Sequence, residues 1–325
     1  MKILIVRVSS LGDVVHNMPM VADIHRHFPA AQIDWVVEEA YTSLVGLNGY
    51  VHSIIPIALR RWRKTLFSAA TRAEIGAFRR KLRCERYDLV FDTQGLLKTS
   101  VVMRMARLAP QGRRIGLANA TEGSGYEPVS RIFHDQSIPV GLHTHAVTRA
   151  RLVAAGALGY QMEGQPDFAL RPPEPARWDW MPGQPYVVFF HGTARAAKQW
   201  PQDRWIRLGQ ALAARGMPIL LPWGSAKEQQ AAQQLAAGIP GATVLPALPM
   251  MQAVALVQQA RLVIGLDTGL THIAAAYGRP TIELYCDSPR WKTEGNWSSS
   301  IRNLGDLGKP PAEDEVLQAA LDLLA

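Results

Sequence analysis

The hexapeptide Asp267-Thr268-Gly269-Leu270-Thr271-His272 combines residue types that suit a nucleotide-sugar. It follows an apolar run at 261–266 and precedes small apolar residues at 273–277, which predicts a buried strand, a sharp turn and a helix start. A helix N-terminus carries unpaired N–H groups and about half a positive charge, so it attracts phosphate. Asp267 and His272 would add groups suited to sugar hydroxyls. Taken alone, the six residues are better explained by a helix cap and a tight turn.

Two further loops in the same half of the chain carry candidate ligands. The loop 191–201 has Thr193 ahead of Lys198, a composition that can cradle a diphosphate, although it is not a Walker A sequence. The turn 221–228 ends in Glu228, and a carboxylate at this place can accept both hydroxyls of a ribose. The alternative for Lys198 is an ordinary surface lysine. The alternative for Glu228 is a charged residue on a helix surface.

Asp13 is the candidate general base of the first half. It stands at a helix start, after an apolar strand and the loop 9–12. Ligands of open α/β sheets bind at the carboxyl ends of strands, so we expect this loop to face the ligand. A carboxylate can take the proton of a sugar hydroxyl and so make it nucleophilic. A helix cap is the alternative role. The loop has a single glycine, which counts against a dinucleotide site and a nicotinamide-dependent enzyme.

Cations near strand ends of the first half are the candidate acceptor ligands: Arg60, Arg61, Arg63, Lys64 and Lys98. Guanidinium groups bind phosphate or carboxylate through two parallel hydrogen bonds. The first four surround Trp62, a pattern that also suits nucleic acid, but no helix-turn-helix, zinc-finger or RNA-binding signature accompanies it. A solvated basic loop is the alternative.

The net charge of +8 lies entirely in the first half of the chain. Residues 1–172 hold 22 basic and 14 acidic residues, and residues 173–325 hold 13 of each. This asymmetry predicts an anionic partner for the first half: nucleic acid, an acidic membrane surface or an acidic substrate. A basic surface that serves only solubility is the alternative.

Composition excludes several classes of protein. With 325 residues, 48% hydrophobic and 19% charged, the chain is globular and long enough for two domains. It has no apolar stretch of about 20 residues and no signal-peptide pattern, so we expect a cytoplasmic protein. Cys84 and Cys286 lie far apart and are expected to be reduced thiols. The sequence has no metal-binding motif, so we expect no metal site. It also has no G-x-S-x-G motif, so we do not expect a serine hydrolase.

Strand and helix patterns alternate along both halves, which predicts two tandem doubly wound α/β (Rossmann-like) domains. The predicted domains are 1–165 and 186–325, joined by a Pro-rich linker at 166–185. The last helix, 312–324, is a candidate to pack back on the first domain. Strands are predicted at 2–8, 32–38, 87–92, 186–191, 218–221, 243–245, 261–266 and 281–285. Helices are predicted at 14–27, 71–85, 96–108, 143–157, 203–214, 226–236 and 251–259, after Asp267, and at 312–324.

Several of these segments, in this order, resemble the bacterial lipopolysaccharide heptosyltransferases. The segments are residues 2–13, Lys198-Gln199-Trp200-Pro201, Leu221-Pro222-Trp223-Gly224 and the hexapeptide 267–272. Segments 60–64 and 94–98 are similar to the acceptor side of the family members that add the first heptose. The resemblance covers nearly the whole chain except 111–142.

The resemblance implies a GT-B glycosyltransferase that works with inversion and without a metal or other cofactor. It implies transfer of L-glycero-D-manno-heptose from ADP-heptose to Kdo of Kdo–lipid A, at the cytoplasmic face of the inner membrane. The implied partners are therefore ADP-heptose, Kdo–lipid A and an anionic membrane surface, and not nucleic acid.

The resemblance also implies a role for each matched residue. Asp13 matches the general base, and the acceptor would meet the five cations named above. Ala194 replaces a threonine that is frequent in the family, so one hydroxyl contact to the donor is absent. A carboxylate repels a diphosphate, so we expect Asp267 to bind sugar hydroxyls. The residues that match donor contacts are Thr193, Lys198, Glu228, Asp267, Thr268, Gly269 and His272.

Two alternatives remain from the sequence. One is a family member whose acceptor already carries heptose (heptosyltransferase II), or another ADP-sugar transferase of the family. The other is a nonenzymatic binder of anionic surfaces or nucleic acid, which would show salt-sensitive binding centred on 60–64.

Overall fold

The computed structural model describes residues 1–174 and 178–325, in two compact units, Met1–Arg171 (unit 1) and Pro172–Ala325 (unit 2). The division falls inside the predicted linker, of which residues 175–177 lie outside the described residues. The segment before the division belongs to unit 1 because its backbone pairs with the turn at 47–49. Gly49 N–H donates to the Ala169 carbonyl at 2.8 Å, and Asn48 Nδ2 donates to the Phe168 carbonyl at 3.0 Å.

Unit 1 contains a parallel six-stranded sheet with the order β3-β2-β1-β4-β5-β6. Its strands are β1 Lys2–Val6, β2 Gln32–Glu38, β3 Val51–Ile57, β4 Arg86–Asp92, β5 Arg107–Leu117 and β6 Gln136–Ile138. Its helices are α1 Leu11–His27, α2 Thr42–Val45, α3 Leu59–Trp62, α4 Ala69–Leu82, α5 Leu97–Met105 and α6 Ala146–Leu158, with 3₁₀ turns at Glu39–Tyr41 and Pro128–Phe133.

Unit 2 repeats this plan, with the strand order β12-β11-β10-β7-β8-β9, again all parallel. Its strands are β7 Val187–Phe190, β8 Ile219–Leu221, β9 Thr243–Val244, β10 Leu262–Leu266, β11 Thr281–Tyr285 and β12 Ile301–Gly305. Its helices are α7 Gln202–Ala213, α8 Ala226–Gly238, α9 Met250–Gln259, α10 Gly269–Ala276 and α11 Glu313–Leu324, with 3₁₀ turns at Ala196–Lys198 and Arg290–Lys292.

The central strands of both sheets are apolar runs that are buried on both faces. Residues Ile3 to Val6 of β1 and Leu262 to Leu266 of β10 are all fully buried, as a parallel sheet covered by helices requires. The final helix α11 packs within unit 2, against α7 and strands β10 to β12. The predicted fold class, two doubly wound α/β domains, is confirmed.

Four strands were not predicted from the sequence: β3, β5, β6 and β12. The helix predicted to reach residue 108 ends at Met105, and β5 begins at Arg107. Pro110 and Gly112 hid this strand, because both residues are typical of breaks. They lie where the β4–β5 register shifts, and a Cβ at position 112 would lie 2.5 Å from the Tyr87 carbonyl oxygen.

Candidate active site

Asp13 lies in the first turn of α1, where it caps the helix and pairs with a buried arginine. Its Oδ2 accepts hydrogen bonds from Ser10 N–H at 3.0 Å and Ser10 Oγ at 2.8 Å. Its Oδ1 lies 2.6 Å from Arg7 Nη2, while about a third of the carboxylate stays exposed. The capping role and the candidate base role therefore coexist in one side chain, because the cap uses Oδ2, Arg7 holds Oδ1, and part of the side chain stays exposed.

Two buried arginines set the charge of Asp13. Burial by itself would raise the pKa of Asp13, but Arg7, the two Ser10 hydrogen bonds and Arg149 outweigh burial and hold this pKa well below its usual range. Burial and the charge of Arg7 lower the pKa of Arg149 to about 10. One carboxylate faces two guanidinium groups, so the local charge is positive and suits an anionic ligand.

A small polar cavity beside Asp13 is lined by Arg7, Asn17, Thr93 and Arg149. Both amide atoms of Asn17, Arg7 Nε and Thr93 Oγ1 are buried and have no hydrogen-bond partner among the described residues. Buried polar atoms of this kind require a partner, so they offer donors and acceptors to a water or a ligand hydroxyl beside the carboxylate.

The strand register explains why these residues meet. Val6 of β1 pairs with Asp92 of β4, so the residues that follow, Arg7 and Thr93, are neighbours at the carboxyl edge of the sheet. Arg7 Nη1 donates to the Thr93 carbonyl, and Val8 N–H donates to Gln94 Oε1 at 3.2 Å. These contacts join the ends of the two strands below Asp13.

Asp92 organises the loop that carries Lys98. The carboxylate is fully buried and accepts hydrogen bonds from Gln94 N–H, Gly95 N–H, Thr99 Oγ1 and Ser100 Oγ at 2.7–3.1 Å. Burial raises its pKa, and these four bonds oppose the rise. The bonds anchor the first turn of α5 and leave its second residue, Lys98, exposed.

The basic cluster 60–64 is only partly a free anion-binding surface. Arg61 pairs with Glu39 at 3.0 Å and with Glu74 at 2.8 Å, which raises its pKa and offsets its charge. Trp62 is 7% exposed, and its indole N–H donates to Glu74 at 2.8 Å. The Trp62 ring therefore belongs to the core of unit 1 and is not available for base stacking.

Besides the ion-paired Arg61, the exposed cations of the cluster are Arg60, Arg63 and Lys64. The Arg60 guanidinium lies 5.4 Å from the centre of the Tyr41 ring, a distance at which a cation is attracted to the ring face. These three side chains keep the positive surface that an anionic acceptor needs.

Asp267 is the centre of the site in unit 2. It follows β10 and receives four side-chain contacts. Oδ2 lies 2.5 Å from Lys198 Nζ and 2.8 Å from Ser288 Oγ, and Oδ1 lies 3.0 Å from His272 Nε2 and 3.1 Å from Thr293 Oγ1. Burial would raise the pKa of Asp267, but His272 and Lys198 lower it well below its usual range.

His272 is buried and uses both ring nitrogens. Nε2 contacts Asp267, and Nδ1 lies 3.0 Å from Glu283 Oε1. Burial alone would lower the pKa of His272, but the two carboxylates raise it to about 10, so the ring is a cation at neutral pH. In this arrangement His272 holds Asp267 in place, and the predicted direct role of His272 on the donor sugar stays a prediction.

Glu228 lies against the start of the loop that carries Lys198. Its Oε2 accepts the Gly224 N–H at 2.7 Å. A Cβ at position 192 would lie 2.7 Å from Glu228 Cγ and Cδ, so any larger residue there would displace the Glu228 side chain. Thr193 follows in this loop, and its Oγ1 accepts the Arg195 N–H at 3.5 Å.

The α10 N-terminus completes the edge of the unit 2 sheet. Thr268 is the N-cap and Gly269 the first helical residue, so the N–H groups beyond Asp267 belong to the first turn of a helix. Lys198 bonds to Asp267 and is therefore close to this turn. An ammonium group beside helix N–H groups is suited to a diphosphate.

The structure brings Lys198, Asp267 and His272 into direct contact, and it places Glu228 against Gly192 in the same loop as Lys198. Sequence reasoning missed several residues that hold the candidate side chains of the two units, because nothing in their local patterns points to a ligand site. These residues are Arg7, Asp92 and Arg149 in unit 1 and Glu283, Ser288 and Thr293 in unit 2. The single available signal was a position at or just after the end of a predicted strand, which applies to Arg7, Asp92 and Ser288.

Among residues 1–174 and 178–325, no group of three or more His, Cys, Asp or Glu side chains is arranged to hold a metal ion. Every helix of these ranges is too short or too polar to cross a bilayer.

Comparison with known proteins places this geometry in a family. The model of glycosyltransferase family 9 (heptosyltransferase) matches residues 75–321. Lipopolysaccharide heptosyltransferase 1 of Pseudomonas aeruginosa is 40% identical over 88% of this chain and 78% of its own length. The Escherichia coli K12 protein of the same name is 38% identical over 88% of each chain.

Solved structures agree with the sequence comparison. E. coli heptosyltransferase WaaC with ADP superimposes with a TM-score of 0.85 at 33% identity, over 99% of this chain and 100% of that one. The same enzyme with ADP-2-deoxy-2-fluoro heptose gives a TM-score of 0.81 over 99% of both chains. The expected GT-B type of the two α/β units is thereby confirmed. The chain is a glycosyltransferase and belongs to glycosyltransferase family 9, the heptosyltransferases.

Proposed function

We propose that this enzyme transfers L-glycero-D-manno-heptose from ADP-heptose to Kdo of Kdo–lipid A, the first heptose of the lipopolysaccharide inner core. The observation that carries the proposal is the contact between Lys198 and Asp267 beside the α10 N-terminus. It combines a cation and helix N–H groups for a diphosphate with a carboxylate for sugar hydroxyls. One relative of matching length, E. coli heptosyltransferase WaaC, has solved structures with ADP and with ADP-2-deoxy-2-fluoro heptose.

The donor contacts follow from the chemistry of each group. Lys198 and the N–H groups near Thr268 and Gly269 would stabilise the charge that develops on the leaving diphosphate. Glu228 would accept hydrogen bonds from the ribose hydroxyls, and Asp267 would accept hydrogen bonds from the hydroxyls of the heptose. Thr193 would add a phosphate contact from the loop after β7.

Asp13 is the base that we assign to the acceptor hydroxyl. Inversion requires one group to take the acceptor proton while the diphosphate leaves from the opposite side of the sugar ring. Asp13 is ionised and partly exposed, and buried polar atoms surround it. The same arginines that keep it charged make this edge of unit 1 attractive to an acidic sugar such as Kdo.

We propose that the reaction needs no metal. In glycosyltransferases that use a divalent cation, the cation neutralises the charge of the leaving diphosphate. Lys198, with the helix N-terminus that follows Asp267, supplies positive charge at the corresponding place.

The cations that we assign to binding of the acceptor are Arg60, Arg61, Arg63, Lys64 and Lys98.

We also propose that the protein is cytoplasmic and visits the anionic cytoplasmic face of the inner membrane, where the lipid acceptor lies. Helix α5 supports this assignment because two of its apolar side chains are exposed. Thr99 and Ser100 point inward to the buried Asp92, whereas Leu97 and Val101 are 41% and 43% exposed. An exposed apolar face marks an interaction surface.

The segment that packs on α5 extends this surface. In the 3₁₀ turn Pro128–Phe133, Val129 is 45% and Ile132 75% exposed. Exposed Arg104 and Arg131 lie on the same two elements. Apolar side chains next to cations fit an anionic lipid surface, where each basic residue contributes about 1 kcal/mol.

One assay tests the activity. Purified protein is incubated with ADP-heptose and Kdo–lipid A, once in a buffer with a metal chelator and once without it. The mass of the lipid product is then measured by mass spectrometry. We expect the mass gain of one heptose in both buffers. A gain with an acceptor that already carries heptose, and none with Kdo–lipid A, would instead identify a heptosyltransferase II.

A further inference from the structure

Glu283 is a buried carboxylate on β11 that has no access to a ligand. Its side chain is fully buried, and it receives three donors. Oε1 contacts His272 Nδ1 at 3.0 Å, while Oε2 accepts the Tyr285 hydroxyl at 2.8 Å and the Gly295 N–H at 2.9 Å. A buried carboxylate is costly unless it is fully hydrogen-bonded and paired with a cation, and here it is both.

The hydrogen bonds of His272 require an imidazolium when both neighbouring carboxylates are ionised. An ionised carboxylate only accepts, and each ring nitrogen lies 3.0 Å from a carboxylate oxygen, one of Asp267 and one of Glu283. Both nitrogens must therefore donate, so the ring is an imidazolium. The raised pKa of His272, about 10, agrees with this assignment.

The charges of the cluster balance. Lys198 and His272 are cations, and Asp267 and Glu283 are anions. Asp267 therefore shares two cations, one on each oxygen, with hydroxyl groups of Ser288 and Thr293 completing its contacts. The orientation of both Asp267 oxygens, and with it the resting position of Lys198, depends on an imidazolium at 272.

We propose that Glu283 is a positioning residue for donor binding, which keeps His272 doubly protonated so that His272 holds Asp267 and Lys198 in the geometry that receives the nucleotide-sugar. This inference rests on the proposed role of Lys198 and Asp267 as donor ligands. Glu283 touches neither of them and acts through the imidazolium.

The neutral ring shows why the charge matters. A neutral imidazole has one N–H, so it can donate to only one of its two neighbours. If Nδ1 keeps the proton, the Nε2 lone pair faces an Asp267 oxygen, and the two repel. Removal of the charge at 283 therefore weakens the hold on Asp267 whenever His272 loses its second proton, because the ring then loses its charge and one of its two donors. Asp267 and Glu283 face His272, with Tyr285 beyond Glu283 and Lys198 beyond Asp267.

The test is the Glu283→Gln variant, which keeps shape and removes charge. In the wild type we expect the Kd for ADP and the KM for ADP-heptose to be flat from about pH 6 to about pH 9. In the variant we expect both to rise about tenfold across this range, because His272 titrates within it. The ring protonation of His272 is followed in parallel by NMR of its carbon-bound protons.

The Tyr285→Phe variant is the matched control, because it removes one donor to Glu283 and keeps both charges. It should retain the flat pH profile, and Glu283→Asp should restore much of it. A uniform loss in Glu283→Gln at every pH, with a flat profile, would show a merely structural role and overturn the proposal. If Glu283→Gln does not fold, the NMR titration of His272 in the wild type provides the test. Titration of His272 near pH 6.5 would contradict the proposal.

The NMR titration and ADP binding need no acceptor. A wild type that binds ADP but transfers no heptose would therefore contradict the proposed function without touching this inference. Conversely, normal transfer with a neutral His272 at pH 8 would overturn the inference and leave the proposed function intact.

Discussion

Arg7 Nη2 lies 2.6 Å from Asp13 Oδ1, and this ion pair determines the protonation of the carboxylate that we assign as the general base. The arginine side chain is 5% exposed, so its charge is poorly screened by water. Asp13 is therefore ionised, and ready to accept a proton, at any pH near neutral. The same attraction makes it a weaker base than an isolated carboxylate.

Replacement of Asp13 by Asn should abolish most of the transfer activity and leave donor binding nearly unchanged. General bases contribute about 10²- to 10⁴-fold, so we expect kcat to fall by at least about 10²-fold. The Kd for ADP, measured by calorimetry, should change little because Asp13 lies in unit 1 and the donor residues in unit 2. Turnover near that of the wild type would remove Asp13 as the base.

Arg7→Gln should move the acid limb of the activity profile to higher pH. The folded-state pKa of Asp13 is depressed by Arg7, so without this charge, burial raises it and protonation begins at a higher pH. We expect a shift of at least about one pH unit in kcat/KM. Arg7→Lys, which keeps the charge, is the control and should shift less. Coincident acid limbs in Arg7→Gln and wild type would contradict the assignment of Arg7.

Lys198→Ala should weaken ADP binding by about 10- to 100-fold, the range expected for a lost charge-assisted hydrogen bond. It also leaves Asp267 with one cation instead of two. Calorimetric titration with ADP measures the effect. Lys227→Ala, on the exposed side of the first turn of α8, is the matched control, and equal affinities of the two variants would argue against a phosphate contact of Lys198.

Gly192→Ala should impair the nucleotide site without a substitution of any polar group. The new Cβ would lie 2.7 Å from Glu228 Cγ and Cδ, so Glu228 must move. We expect ADP to bind about tenfold more weakly, as in Glu228→Gln, because the proposed ribose contact is lost. Gly76→Ala, in α4 with ordinary contact distances, controls for the substitution itself and should be neutral or stabilising. Unchanged ADP affinity in Gly192→Ala would show that Glu228 does not hold the ribose.

A triple variant of the exposed apolar surface, Leu97→Ser, Val101→Ser and Ile132→Ser, should bind anionic lipid vesicles about tenfold more weakly than the wild type. Co-sedimentation with vesicles that contain an acidic lipid measures binding, and neutral vesicles show the part due to charge. Leu307→Ser, at an exposed apolar residue of unit 2, is the control. Equal vesicle binding of the triple variant and the wild type would exclude this surface as the contact.

The prediction from sequence succeeded where a segment is strongly patterned. The apolar run of β2 was predicted with its observed bounds, Gln32–Glu38, and β11 likewise at Thr281–Tyr285, because buried parallel strands are near-continuous runs of apolar residues. It failed for β5, whose Pro110 and Gly112 resemble a loop. Their acceptance in a strand depends on a register shift against β4, which is a property of the pairing.

The order of strands and turns along the chain was enough to place Asp13, Lys198, Glu228 and Asp267 at strand ends, because a parallel sheet collects its ligands at one edge. Local sequence contains no information about which charges meet across that edge. The pairing of Arg7 with Asp13, and of Lys198, His272 and Glu283 around Asp267, depends on strand register and burial. Protonation is a property of these long-range contacts, since burial and neighbouring charges set each pKa, and for this reason it was visible only in the folded chain.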